Sequence, residues 1–218
     1  ELNTSLNNSV YVGPVKDWGL NNYHPDGWGN INFANTKKYR IKFSSGLPKE
    51  IDAVFEDGDT YQGRVNEKLH WTNGTFKSDE VIYSGLFAFS SINKSYRYLK
   101  GKLENSTFIF DGVFYTSHPG QPKKGKFTHK KFNYDFDGSF HEDGKMQKGI
   151  LTQQSYENNK ECKRIFKGHI DYNEEGWSYN MRQDFILEQP NGTITKKNGA
   201  LSVMLSDSSK PFNVSYSD

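Results

Sequence analysis

The chain has 218 residues, a net charge of +2 and a mean hydropathy of -0.86, with 33% hydrophobic but 15% aromatic residues. So many aromatics exclude a disordered polymer, and so small a charge makes no case for a nucleic-acid partner. No apolar run approaches the roughly 18 residues of a membrane-spanning helix. Burial must rest on Phe and Tyr rather than on Leu and Ile.

In chain order, residues 1–22 read as a polar tail or edge, opening on "ELNTSLNNS". Because the first residue is Glu1 rather than Met, a trimmed or processed chain is expected. "WGNINF" then puts Gly29, Ile31 and Phe33 on one parity, and "YRIKF" does so for Tyr39, Ile41 and Phe43. A frame of aromatic-x-Gly-x-apolar follows at Tyr61, Gly63 and Val65. It returns at Tyr83, Gly85 and Phe87, then at Phe110, Gly112 and Phe114. Further copies stand at Phe136, Gly138 and Phe140 and at Phe166, Gly168 and Ile170, so successive copies are 22 to 30 residues apart. The strand carrying the fourth copy is expected to begin at Phe132, since Phe132, Tyr134, Phe136, Gly138 and Phe140 alternate strictly. Between the frames lies a shorter Gly-x-apolar element, at Gly74/Phe76, Gly101/Leu103, Gly125/Phe127 and Gly149/Leu151. Near Gly176 the parity breaks, which predicts a bulge or an irregular edge. Gly199, Leu201, Val203 and Leu205 restore it before a polar tail at residues 206–218. Asp-Gly and Asn-Gly pairs punctuate the strands, and no stretch carries the 3.6-residue period of a helix.

This predicts repeated hairpins over residues 23–205, each too small to bury its aromatics alone. A glycine inside a strand weakens it unless something must come close. The expected visitor is an aromatic ring from the adjacent strand, lying over bare backbone.

The pattern resembles the MORN repeat family, with "FEDGDTYQGRV" at residues 55–65 as the nearest match and "VIYSGLF", "FIFDGVF", "YDFDGSF" and "RIFKGHI" holding the core. The resemblance covers residues 29–172 and departs from the family in its variable unit length and single mid-repeat glycine. It implies an all-β fold, a single elongated, twisted antiparallel sheet of consecutive hairpins. It also implies a non-catalytic scaffold with a protein partner, or an anionic membrane surface.

Chemistry is sparse. His141-Glu142-Asp143 sits at a turn in "HEDG", and Asp57 and Asp59 flank the Asp-Gly turn the repeat requires rather than a calcium loop. Cys162 in "KECKRIF" reads as an edge-strand thiol, and His70, His118 and His129 as loop residues. No nucleotide-binding or nucleophile motif is present, so catalytic residues, metals and cofactors are all expected to be absent. Trp18, Trp28, Trp71 and Trp177 could stack a sugar, but their positions at turns and edges favour packing.

The sharpest candidate is a lysine cluster, Lys123, Lys124, Lys126, Lys130 and Lys131, set against an acidic stretch holding Glu50, Asp52, Glu56, Asp57 and Asp59. It would meet an acidic partner or anionic lipid, or merely keep loops soluble. The lone cysteine leans towards a reducing compartment, whereas seven Asn-x-Ser/Thr sequons lean towards secretion. Two further expectations compete with the scaffold: an extracellular glycosylated domain binding carbohydrate or a host surface, and an accessory domain of an enzyme catalytic elsewhere.

Overall fold

The computed structural model describes residues 2–3, 10–20, 22–33, 35–157, 160–173 and 176–205. The expected tail at 206–218 lies outside them. Among the described residues there is no helix, and the strands form an antiparallel sheet of consecutive hairpins. The chain divides into two compact units, Glu1–Ser106 with Phe114–Gly120, and Thr107–Val113 with Gln121–Asp218.

In the first unit, β1 (Leu2–Asn3) pairs with β2 (Val10–Val12), while β3 (Val15–Asp17) and β4 (Tyr23–Pro25) make a separate two-stranded ribbon. The ladder then runs through β5 (Gly27–Ile31), β6 (Thr36–Ser44), β7 (Leu47–Phe55), β8 (Thr60–Val65), β9 (Trp71–Lys77), β10 (Val81–Ser90) and β11 (Ser95–Asn105). Apolar residues of one parity form the core, with Ile41, Ile51, Ala53, Tyr61 and Tyr83 wholly inaccessible.

The second unit opens with β12 (Phe108–Phe114), all but its last residue, and β13 (Pro122–His129). From β13 the ladder continues through β14 (Tyr134–Phe140), β15 (Met146–Glu157) and β16 (Lys160–Asn173). The parity break near Gly176 has a simple cause. β16 is long enough to hold two partners, β17 (Gly176–Tyr179) on its last residues and β18 (Phe185–Gln189) on its middle. β19 (Gly192–Lys197) and β20 (Ala200–Leu205) complete the ladder. In β20 the expected parity does not bury its side chains: Leu201 and Val203 are exposed. Phe132 also departs from expectation. It belongs to the turn before β14, not to the strand, and is 64% exposed.

The glycines of the frame face one another across the ladder. Gly63 pairs with Gly74, Gly74 with Gly85 and Gly85 with Gly101 in the first unit. In the second, Gly125 pairs with Gly138, Gly138 with Gly149 and Gly149 with Gly168. Each frame's leading aromatic folds back over this bare track. A Cβ built on Gly138 would lie 2.6 Å from Cζ of Phe136, and one on Gly149 would lie 2.9 Å from the same ring. The ring therefore comes from the same strand, two residues earlier, and not from the adjacent strand as expected. It spans its own glycine and the one opposite. Side chains two apart on a strand share a face, so only a missing Cβ lets the ring lie flat.

A further copy of the frame stands in the segment expected to be a tail. Tyr11 is 3% exposed, and its ring occupies the space over Gly13 and Gly29. Its signal, Tyr-x-Gly, is in the sequence, but the strand is short and Pro14 ends it.

The two units differ in the atom at the ring's tip. In the first, the Tyr61 hydroxyl donates to the Arg64 carbonyl at 2.9 Å, and that of Tyr83 to the Leu86 carbonyl at 2.7 Å. Both carbonyls sit where the ladder shifts register, between Arg64 and Val65 and between Leu86 and Phe87. The second unit has Phe110, Phe136 and Phe166 in these places. A Tyr61→Phe substitution is expected to lower stability by about 1 kcal/mol, the usual worth of one internal hydrogen bond. Urea unfolding should show a lower midpoint at unchanged slope.

Candidate functional site

A single layer of sheet leaves the buried rings in need of a cover, and other rings supply it. Trp71 stacks on Tyr61 at 4.1 Å and 3°, and on Tyr96 at 4.1 Å and 8°. Two rings parallel to Trp71 and so close to its centroid would overlap on one side, so they lie on opposite faces. Tyr98 stacks on Tyr83 at 4.0 Å, and Tyr179 on Phe166 at 4.4 Å. Trp71, Tyr96, Tyr98 and Tyr179 are each half-buried. Beneath this second storey, Tyr61, Tyr83 and Phe166 are wholly inaccessible.

The upper rings shape the surface of the first unit. A hollow of about 550 Å³ has Phe55, Trp71, Phe76 and Tyr96 among its lining. Its remaining wall is Asn35 and the turn that carries Glu56, Asp57 and Asp59. A second hollow, of about 630 Å³, lies among Val65, His70 and Phe89, with Lys49, Glu67 and Lys68 at its edge. His70 is fixed there by stacking on Phe89 at 3.9 Å.

Burial governs the phenols. It pushes Tyr83 up to about 12, opposed by hydrogen bonds to backbone, and holds Tyr61 and Tyr39 higher still. A folded-state value above the ordinary 10.0 means the native protein keeps a proton that the unfolded chain releases. Stability is then complete below about pH 10 and lost as pH rises towards 12 and beyond. Alkaline titration should show a cooperative rise in tyrosinate absorbance that coincides with loss of ellipticity. In Tyr83→Phe, stability should fall less steeply with pH over that window.

The five lysines are all exposed, but they do not form one patch. Lys124 and Lys126 lie on the face opposite the rings, facing Ser139 and Asp137 of β14. Lys123 has the other parity, beside Gly125 and Phe127. Lys130 and Lys131 belong to the hairpin tip with Phe132. There the Lys131 ammonium lies 5.7 Å from the Phe132 ring, and the backbone N–H groups of Lys131 and Phe132 donate to His129 Nδ1, each at 3.2 Å. His129 is thus a turn-forming residue whose ring lies 4.6 Å from Phe132.

The acidic stretch also separates. Glu50 pairs with Lys42 at 3.0 Å, and Asp52 with Lys38 at 3.6 Å and Arg40 at 3.9 Å, all across β6 and β7. Glu56, Asp57 and Asp59 make no ion pair among the described residues. His141-Glu142-Asp143 is a hairpin turn in which the Gly144 N–H donates to the His141 carbonyl at 2.9 Å. Asp143, its carboxyl held below the usual range chiefly by the Lys145 N–H, also pairs with the Lys145 ammonium at 3.1 Å. Cys162 is a half-buried free thiol on β16, opposite Ser155. No group of three metal-binding side chains gathers among the described residues.

The tryptophans share no platform. Trp18 lies against His24 at 4.3 Å, Trp28 lies beneath the Arg40 guanidinium at 5.3 Å, and Trp71 has both faces covered. Trp177, in the second unit, packs beside Tyr179 at 5.8 Å. The residues that sequence reading missed are Tyr96 and Tyr98. Their "SYRYLKG" spacing marks a strand, but nothing in it says that they roof the preceding frames.

No protein family and no curated protein matches this chain.

Proposed function

We propose that this protein is a non-catalytic repeat scaffold, a divergent relative of the MORN arrays, that holds a protein partner on its ring-covered face. The observation that carries this reading is the second storey of rings. Trp71, Phe76 and Tyr96 keep part of their surface open beside a hollow of about 550 Å³, and Tyr98 is likewise only half-buried. Rigid aromatics offer large contact area for little loss of conformational freedom, which is why such residues concentrate in binding surfaces. A photo-reactive amino acid at Phe76 or Tyr98 should cross-link a partner, whereas one at Ile82 or Leu86 on the opposite face should not. Cross-links from the opposite face alone would defeat the reading.

A second reading, contact with an anionic membrane surface, is favoured by the Phe132 tip, where an exposed ring lies beside the Lys131 ammonium. At about 1 kcal/mol per lysine, Lys130 and Lys131 at the tip would supply roughly 2 kcal/mol, so the contact is weak unless multivalent. Co-sedimentation with phosphatidylserine vesicles at low salt checks it. The wild type should bind, and both Phe132→Ser and the five-fold Lys→Gln variant should bind less. Equal behaviour of all three assigns the tip to solubility alone.

A further inference from the structure

We infer that the hollow beside the Glu56–Asp59 turn is a binding site for an organic cation, an alkylammonium or guanidinium group borne by a peptide side chain or by a small molecule. The inference deepens the reading of the ring-covered face as a binding face, and rests on it.

Three observations converge on a cation. First, aromatic side chains line the hollow. Phe55, Phe76 and Tyr96 are half-buried, and Trp71 can offer only its edge because Tyr61 and Tyr96 cover its faces. An aromatic ring attracts a cation at its negative face, more strongly where water is displaced.

Second, the charge beside those rings is negative and uncompensated. The neighbouring acids Glu50 and Asp52 are each matched by a cation across the ladder, whereas Glu56, Asp57 and Asp59 have no ion pair among the described residues. The charge of Asp59 is felt on this face of the first unit: after burial, it is the influence that raises the phenol of Tyr98, on the same strand as Tyr96. Lys77, next to Phe76, has the opposite parity and is directed to the other face of the sheet.

Third, the wall is preformed. The Asp59 carbonyl accepts from the Phe55 N–H at 2.9 Å, and the Phe55 carbonyl from the Gly58 N–H at 3.1 Å. The Glu56 N–H donates to the Asn35 carbonyl at 3.2 Å, and the Asp59 N–H to Asp57 Oδ1 at 3.0 Å. A ligand would meet a turn whose backbone and Asp57 carboxylate are already positioned, without a cost of ordering the loop.

Other occupants fit less well. The carboxylates do not converge as a metal site, since no group of three metal-binding side chains gathers among the described residues. A sugar would want an open indole face, which Trp71 lacks.

The test is a titration of the isotope-labelled full chain, followed by the backbone amide signals of residues 55–59, 71, 76 and 96. The probes are choline, N-acetyl-trimethyllysine amide, and 3,3-dimethylbutanol as the neutral isostere of choline. Both cations should give saturable shifts confined to these residues, with the isostere at least about tenfold weaker. Tighter binding of the lysine derivative points to a peptide-borne cation, and tighter binding of choline to a small molecule. The variant Glu56→Gln/Asp57→Asn/Asp59→Asn keeps a side-chain acceptor at position 57 for the turn, and should weaken both cations by about tenfold or more. Tyr96→Leu should weaken them with every carboxylate in place. Equal binding of cation and isostere overturns the cation site and leaves a binding face standing. Absence of shifts with every probe also overturns it, and the photo-cross-linking then decides the face independently.

Discussion

Replacing Gly138 with valine is expected to destabilise the protein by at least about 3 kcal/mol, beyond the usual range for overpacking, because the collision is with backbone. A Cβ at this position would lie 2.3 Å from the Lys148 carbonyl oxygen, 2.7 Å from Gly149 Cα and 2.6 Å from the Phe136 ring. A ring can turn aside, but the oxygen and Cα belong to the strand hydrogen-bonded opposite. Relief would require separating β14 from β15. Gly138→Ala should therefore already cost most of the penalty, and shortening the ring with Phe136→Leu should not rescue it. The control is Asp137→Val, one residue away on the exposed face, which should stay within about 0.5 kcal/mol of wild type. Chemical denaturation of the four variants checks the order. A Gly138→Val protein as stable as its parent would refute the glycine track.

Phe136→Ala is expected to cost about 3–5 kcal/mol, the range for large-to-small changes in a closed core. Phe136 is wholly inaccessible and packs edge-on against Phe140 at 5.1 Å. Removing it uncovers the glycines of two strands at once, and no neighbouring side chain can collapse onto positions that have none. Phe136→Tyr should behave quite differently, within about 1 kcal/mol of wild type. β14 shifts register between Ser139 and Phe140, at the place where the first unit's tyrosines meet a carbonyl three residues ahead. A cost for Phe136→Tyr as large as that for Phe136→Ala would show that the two units do not share one design.

Much of this was legible in the letters. Strict alternation around Tyr83, Phe110, Phe136 and Phe166 specified strands, and the turn dipeptides located the hairpins. The lack of a helical period excluded any other class. Burial of the frame aromatics followed as well, because a period of two places them all on one face. Phe132 was misread because parity continues unchanged into a turn, and alternation alone does not show where pairing stops. The Tyr11 frame was lost in a segment too polar and too short to register as a strand.

Of the candidate site, the sequence displayed the ingredients without the assembly. The acidic turn and the aromatics were visible, but Asp59, Trp71 and Tyr96 are up to 37 residues apart and meet only through β8 to β11. The salt bridges of Glu50 and Asp52 depend on the register between β6 and β7, which no local pattern encodes. So of the five acids that looked like one stretch, two are neutralised across the ladder and three have no ion pair among the described residues.

Within the repeated frames the sequence alone determined which residues point inward, since alternation is a property of each strand by itself. Only the tertiary structure decided what covers them. Whether a ring lies over its own glycine or a neighbour's depends on facing glycines in adjacent strands, and so does whether a second ring then roofs the first. That is a matter of cross-strand register, set by many pairings together rather than by any one strand.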